Sequence, residues 1–413
     1  AGALVIQIAS GNNTVVYGTY NTSNINSVGA AIPASAVNAS YCSNCALGNT
    51  SPVVINLAIT APTGGSNLWT ASDSFAAQGA YNFTINATVP AGSYSAGNNL
   101  KVGSYTLTPG NVTTVAGYQT NYDATKPPIY ISGTLNVTPL TLTLSAGPTV
   151  TYNGTNTLNN VPLPLSSSNM LAGDALTATG SGTIGSPNAG TTSYAITSAL
   201  LSGPDAANYI FSASAAGMSG SGGSGSTSAT VTPAQIVVTA SNAVKTYDGN
   251  TVTPNTTIGS SQVAPTPVLV SGTLYTNVTT GLLDTLATVT TAYADPNVHT
   301  IAGASTTNKV LNVTAATVTN GSVDATGNYT ISYVNNTTST INPASISATA
   351  GAGAGITYNG GTTIPGSSLT LTGIGGASLS LAGGATATIA SPNAGTQAIT
   401  GITGSLTGGV AGT

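Results

Sequence analysis

The side chains that could do chemistry are few. Cys42 and Cys45, in SYCSNCALG, are the only cysteines, and a C-x-x-C pair can be a redox motif, half of a zinc site or a small disulfide loop. Zinc needs two further ligands, and the chain offers one histidine and no third cysteine. A redox pair belongs at a strand-to-helix junction, which the surrounding Ser, Asn and Gly do not suggest. The context therefore favours a tight disulfide loop closed in an oxidising compartment. His299 is the only imidazole, and Asp295 lies close before it. The two could form a general-base dyad, although a histidine on a turn is far more often a plain surface residue. Eight aspartates (Asp73, Asp123, Asp174, Asp205, Asp248, Asp284, Asp295 and Asp324) could pair as glycosidase carboxylates. No two of them share a motif except through repetition, and Asp205 and Asp248 occupy turn motifs, where Asp bonds nearby backbone. A D-x-D-x-D calcium series is missing, as are the Walker, dinucleotide and zincin patterns. The expectation is a protein without a catalytic, cofactor or metal site.

Asn-x-Ser/Thr triplets raise a different chemistry. Asn82, Asn86, Asn111, Asn136, Asn277 and Asn312 head such triplets, as do Asn153, Asn255 and Asn328. A chain so rich in Ser and Thr makes many by chance, and in a strand the spacing merely puts Asn and Thr on one polar face. Sugars would nonetheless solubilise a polar face that lacks charge, so glycosylation is a second use for these positions.

Composition narrows the field further. Only 3% of residues are charged, and neither Glu nor Arg occurs, against about a quarter charged in an ordinary domain. Four scattered Lys cannot neutralise a phosphate backbone, so nucleic acid is not an expected partner. The mean hydropathy of +0.24 reflects missing charge and abundant Ala, and no stretch approaches the roughly 20 apolar residues of a membrane span. The opening AGALVIQIAS has neither a basic nor a long apolar region, as in a mature secreted chain whose signal peptide is absent or removed. Low charge also removes the repulsion and the edge lysines that keep sheets apart, so the chain should tolerate or seek close lateral packing with itself.

The elements that must position these residues are strands. In YNFTINATVP, Asn82, Thr84, Asn86 and Thr88 fall on one face, and Phe83, Ile85, Ala87 and Val89 on the other. Leu4, Ile6 and Ile8 alternate likewise, as do Leu140, Leu142 and Leu144. Three anchors then recur in one order. The first is an aromatic turn: TYNG at 151–154 with Tyr152 and Gly154, TYDG at 246–249 with Tyr247 and Gly249, TYNG at 357–360 with Tyr358 and Gly360, and a shorter VYG at 16–18. The second is SPNAGT, with Pro187 and Gly190, then again with Pro392 and Gly395; DPNVHT at 295–300 takes the equivalent place. The third is a closing strand ending at Pro139, Pro233 or Pro343. Proline to tyrosine is 13 residues (139 to 152), 14 (233 to 247) and 15 (343 to 358). Tyrosine to the next motif's proline is 35 (152 to 187) and 34 (358 to 392), but 49 (247 to 296) in the third copy, which therefore carries an insertion. The divisions are 1–139, a divergent β module with the C-x-x-C loop; 140–233, with a Gly/Ser-rich hairpin loop at 217–228; 234–343, with the insertion; and 344–413, incomplete at its C-terminal end.

This order resembles the MBG and YDG repeat families of bacterial surface adhesins and large exoproteins. It rests on KTYDG at 245–249, the SPNAGT segments followed by YAIT or QAIT, LSGPDAANYIF at 201–211 with its echo NYTI at 328–331, and the T-P-A connectors. The resemblance covers repeats two to four, and repeat one only at its ends. It implies tandem β modules on secreted or cell-surface proteins, with no catalytic residues to carry over. The scarcity of charge sets this chain apart from the family's usual sequences. The expected fold is all-β, an elongated rod of Ig-like or sandwich modules, with strand exchange between neighbouring molecules as one way to complete repeat four. SPNAGT reads as turn chemistry, since Pro presets a turn residue, Asn tolerates the left-handed region and Gly takes positive φ; His299 stands where Gly190 and Gly395 do. With Tyr outnumbering Phe 18 to 3, rings are expected to fill the sandwiches with hydroxyls reaching the rim. The expected role is a structural subunit of an extracellular filament, sheath or adhesin stalk, the alternative being an adhesin that binds host or biofilm glycans through repeat one.

Overall fold

The computed structural model describes residues 3–9, 13–42, 54–73, 79–115, 126–144, 146–211, 225–298, 300–301, 304–305, 308–351, 356–372 and 379–408. They are almost all β, and the helical segments are short 3-10 turns such as Ile25–Ala31 and Ala206–Asn208. In repeat one, Ala3–Ile8 pairs antiparallel with Val37–Cys42 and parallel with Ile129–Ile131, while a second sheet runs from Thr14–Val16 through Gly133–Thr138, Gly103–Thr114, Ala80–Thr88 and Trp69–Ser72 to Ala58–Thr60. The alternation read from the sequence faces the core: Leu4, Ile6, Phe83, Ile85 and Leu107 are buried. Tyr41 and Tyr81 join the two sheets hydroxyl to hydroxyl at 2.9 Å.

Repeats two and three reuse this plan. The opening strand runs parallel to a late strand, Leu140 beside Tyr209 and Ala234 beside Tyr329, as Val5 lies beside Ile129 in repeat one. The second strand then crosses to the other sheet and lies beside the closing strand: Thr14 opposite Asn136, Val244 opposite Thr340, and Thr149–Thr151 next to Gly225–Thr232. The closing strand of repeat two begins at Gly225, so part of the segment read as a hairpin loop is strand and the remainder lies outside the described residues. A single proline separates Gly133–Thr138 from Leu140–Leu142, and another separates Gly225–Thr232 from Ala234–Ala240. Proline has no N–H to continue the ladder, so each closing strand ends there and the next opening strand starts afresh. Among the described residues no sheet crosses any of the three prolines.

Repeat four is thinner. Ser347–Ala350 pairs with Leu369–Thr372 and, among the described residues, with nothing on its other side. Thr363–Pro365, Thr386–Ile389 and Ile399–Thr403 form a second sheet over Ile364, Ala385 and Ala387. By contact density the chain forms two compact units, one of residues 1–150, 156–186 and 191–230, the other of 151–155, 187–190 and 231–413. The aromatic turn and the PNAG turn of repeat two thus belong to the second unit.

Candidate functional site: two carboxylates, each gripped by two tyrosines

The aromatic turns are set by the closing strands. The N–H of Tyr17 donates to the carbonyl of Thr138, that of Tyr152 to Thr232 and that of Tyr247 to Asn342, each at 2.8 Å and each to the residue just before a connector proline. The glycine that follows has positive φ, +93° at Gly18 and +77° at Gly154. Gly154 has a second reason to be glycine, since a Cβ there would lie 2.2 Å from the Thr276 backbone carbonyl oxygen, whereas one on Gly18 would meet only the end of the Leu171 side chain, at 2.6 Å, which can move aside.

Within the first unit, Tyr17 reaches Asp174. Its hydroxyl donates to Oδ2 at 2.5 Å, and the Tyr209 hydroxyl donates to the same oxygen at 2.5 Å. Ser95 Oγ and the Gly97 N–H fill Oδ1 at 2.6 and 3.0 Å. Within the second unit the arrangement is built again from other residues. Tyr152 and Tyr329 both donate to Oδ2 of Asp284 at 2.7 Å, and Asn320 Nδ2 donates to Oδ1 at 2.8 Å. The ring pairs are edge-to-face in both, with centroids 5.2 Å apart for Tyr17 and Tyr209 and 5.4 Å apart for Tyr152 and Tyr329. A backbone N–H completes each cluster, Leu171 donating to the Tyr209 hydroxyl and Tyr275 to the Tyr329 hydroxyl, at 3.1 and 3.0 Å. Asp174 is 8% exposed and Asp284 0%, and neither has a cationic partner among the described residues.

A buried anion without a counter-charge is costly unless its lone pairs are filled. Burial pushes the Asp174 carboxyl up, but the hydrogen bonds from Ser95, Tyr17, Tyr209 and the Gly97 N–H outweigh it and hold the group below its ordinary value. The tyrosines answer in the opposite sense. Burial, and then the hydrogen bond to Asp174, raises Tyr17 and Tyr209; burial and the bond to Asp284 raise Tyr152. Burial raises Tyr329 too, and its bond to Asp284 adds to this, against the opposing pull of the Tyr275 N–H. Phenols so raised stay protonated and keep donating. With donors on both oxygens of each carboxylate, the arrangement is suited to fastening rather than to proton transfer or ligand binding.

Asparagines extend each fastening. Asn208 Oδ1 accepts the Val102 N–H at 3.0 Å, and Asn328 Oδ1 accepts the Ala189 N–H at 2.8 Å. Asn277 and Asn328 both donate to Asn188 Oδ1, and the Val278 N–H donates to the Gly154 carbonyl. SPNAGT is therefore more than the turn chemistry expected of it. Gly190 and Gly395 do take positive φ, +133° and +130°, but the Asn188-Ala189 pair also forms a ledge on which repeat three rests. The tyrosine expectation is corrected as well: the hydroxyls of Tyr17, Tyr152, Tyr209 and Tyr329 turn inward to carboxylates, not outward to a rim.

Tyr247 is buried against Tyr293, Leu311 and Ile341. Beside it the TYDG turn is closed by Lys245, whose buried Nζ contacts Asp248 Oδ1 and the Asn250 carbonyl at 2.6 Å each, and the Val252 carbonyl at 3.1 Å. Residues 344–413 contain no acidic side chain, so repeat four has no carboxylate to offer Tyr247. Gly249 and Gly360 take φ of +80° and +76°, Tyr358 is exposed, and Pro187 and Pro392 open the two SPNAGT turns.

Of the other sequence candidates, Cys42 is buried at the end of Val37–Cys42, and Cys45 lies outside the described residues. Asp295 accepts from Lys309 Nζ at 2.5 Å, and His299 lies outside the described residues. Asn86 and Asn111 are exposed, while Asn82, Asn136 and Asn312 are half-buried and bonded to Thr70, Ser104 and Asn335. Asn277 departs from the glycosylation expectation: it is 5% exposed with its amide donated to Asn188, and Asn328 is likewise buried and bonded. Asp174 and Asp284, which do most at these sites, were not singled out by the sequence. A signal was there, since Asp174 precedes Pro187 by 13 residues and Asp284 precedes Pro296 by 12, each in an apolar setting, LAGDAL and LLDTL.

The profile of a family described as YDG domain matches residues 136–217, which begins in the closing strand of repeat one and ends just past the Asn-Tyr strand of repeat two. The match spans Tyr152, Asp174, Asn188 and Tyr209. No curated protein sequence matches the chain.

Proposed function

We propose that the chain is a structural subunit of an extracellular filament, sheath or adhesin stalk, a series of β modules whose neighbours are held in fixed register by tyrosine–aspartate–tyrosine fastenings. The observation that carries this reading is the recurrence of one arrangement on different residues. A turn tyrosine of one repeat and the Asn-Tyr strand of the next meet on the next repeat's buried carboxylate, at Asp174 and again at Asp284. Both oxygens of each carboxylate are filled by donors from the chain itself, which leaves no open position for a ligand, whereas a series of modules needs a fastening at each joint. The same reading gives the nearly uncharged surface a use, since it permits lateral packing of the modules outside the cell.

Small-angle scattering on the intact chain tests it. The wild type should give one long, narrow particle with a well-defined maximum dimension. An Asp174→Ala/Asp284→Ala chain should keep its β-sheet circular dichroism while its distance distribution broadens. A compact particle, or identical curves for the two chains, would count against the reading. Electron microscopy of the native material extends the test: filaments or long bundled rods are expected, and dispersed single globules are not.

A further inference from the structure

In repeat four the same two turns stand open. Tyr358 lies in a TYNG identical to that of Tyr152, yet it is 67% exposed where Tyr152 is 1%. The turn is already in its docked shape, with φ +76° at Gly360 against +77° at Gly154. A Cβ on Gly360, however, would meet nothing within 4 Å, whereas one on Gly154 would strike the Thr276 carbonyl. The SPNAGT at 391–396 copies the one at 186–191 letter for letter, and Pro392, Asn393 and Ala394 are exposed. A groove of about 550 Å³ runs between the two turns, lined by Ile356, Tyr358, Asn359, Pro392, Asn393 and Ala394.

The chain itself shows what such a face holds. In repeat two the Tyr152 hydroxyl, Asn188 Oδ1 and the Ala189 N–H are taken up by Asp284, by Asn277 with Asn328, and by Asn328. We propose that the face formed by Tyr358, Asn393 and Ala394 is a docking site for a further β module of this repeat class, one that brings an unfilled buried aspartate beside an Asn-Tyr strand. The inference rests on the fastening described above. Charge supports the assignment: residues 344–413 contain no acid, base or histidine, so the partner must supply the carboxylate that the Tyr358 hydroxyl would meet. A second folded copy of the described chain does not fit through Asp174 or Asp284, because both are already filled from within. The contact is head-to-tail, with donor turns on one module and the acceptor carboxylate on the next.

The test extends the intact chain beyond Thr413 with a copy of residues 201–343, which supplies closing strands and one aspartate-bearing repeat. Tyrosine nitration is then read peptide by peptide by mass spectrometry. Tyr358 should react at least about tenfold more slowly in the extended chain than in the original, corresponding to about 1.4 kcal/mol of protection. Replacing the added copy of Asp284 by Ala should restore its reactivity. Unchanged Tyr358 reactivity, with the added copy of Tyr293 protected and its module therefore folded, would overturn the inference. A second variant is independent of the extension. Val150→Ile/Thr155→Gly gives repeat two the turn of repeat four within the original chain, and Tyr152 should remain as protected as in the wild type. Loss of that protection would also overturn it. Failure of the fastening reading looks different: Tyr17 and Tyr152 would then nitrate as readily as Tyr358 in the original chain.

Discussion

Replacing Tyr329 by Phe should cost more than replacing Tyr152 by Phe, although both hydroxyls donate to the same oxygen of Asp284 at the same 2.7 Å. Each change removes one hydrogen bond to a charged acceptor, worth about 1.5–3 kcal/mol. The Tyr329 hydroxyl also accepts the Tyr275 N–H at 3.0 Å, and without it that part-buried amide loses its partner, a further cost of roughly 1 kcal/mol. The expected losses are therefore about 2 kcal/mol for Tyr152→Phe and about 3 kcal/mol for Tyr329→Phe. The first unit repeats the logic: Tyr209→Phe should cost more than Tyr17→Phe, because only Tyr209 accepts a backbone N–H, from Leu171. Asp284→Ala should exceed all four at about 3–5 kcal/mol, since it strands two buried phenols at once while Asn320 Nδ2 keeps its bond to the Leu282 carbonyl. The measurement is hydrogen exchange by mass spectrometry on peptides from each compact unit, with denaturant, because a chain of several modules need not unfold in one transition. Equal costs within both pairs, a reversed order, or losses all below about 0.5 kcal/mol would refute the description of these carboxylates as the fastening.

Acid should loosen the first unit. The folded Asp174 carboxyl lies below its ordinary value, so the stability it contributes is present above about pH 4 and is lost as pH falls through the lower folded value; Asp174→Asn should flatten that acid limb in denaturant midpoints. Alkali should act through the raised tyrosines, whose contribution is present below about pH 10 and is lost above it, with tyrosinate absorbance rising as the units open. Gly154→Ala should destabilise the second unit by roughly 1–2 kcal/mol for its positive φ, with the Thr276 clash in addition, whereas Gly360→Ala should cost only the first part; thermal melts of the two variants compare them. Lys245→Met should cost no more than about 3 kcal/mol in chemical denaturation, because its partner Asp248 is half exposed and can return to water.

The all-β character was legible because alternation such as that of Phe83 and Ile85 is a local property of the chain, and the recurring turns were legible because their glycines carry positive φ with them, +77° at Gly154 and +133° at Gly190. Tyr17 was found through its short VYG, and its buried bond to the closing strand matches that of Tyr152 and Tyr247. Asp174 and Asp284 do not stand out among the eight aspartates, because an aspartate in a Gly- and Thr-rich chain reads as a turn residue, and what makes them different is a tyrosine 157 and 132 positions away. Asn188 lies in a bend but not in the left-handed region that the SPNAGT reading allows it, and its contacts were not legible because its partners Asn277 and Asn328 belong to another repeat. Asn277 shows the reverse case: an Asn-x-Thr triplet is visible in the letters, and its burial is not.

The pairing of each repeat's second strand with its closing strand has a mechanical consequence. In repeat three Val244–Thr246 runs parallel to the end of Asn336–Asn342, Val244 opposite Thr340 and Thr246 opposite Asn342. Tension applied along the backbone enters this ladder at one end and leaves it at the other, so its hydrogen bonds are sheared together and cannot be unzipped one by one. The second strand of repeat one, Thr14 opposite Asn136, is loaded the same way. Such a chain should yield to pulling in discrete, high-force steps, one repeat at a time, and should resist stretching far better than its modest cores would suggest.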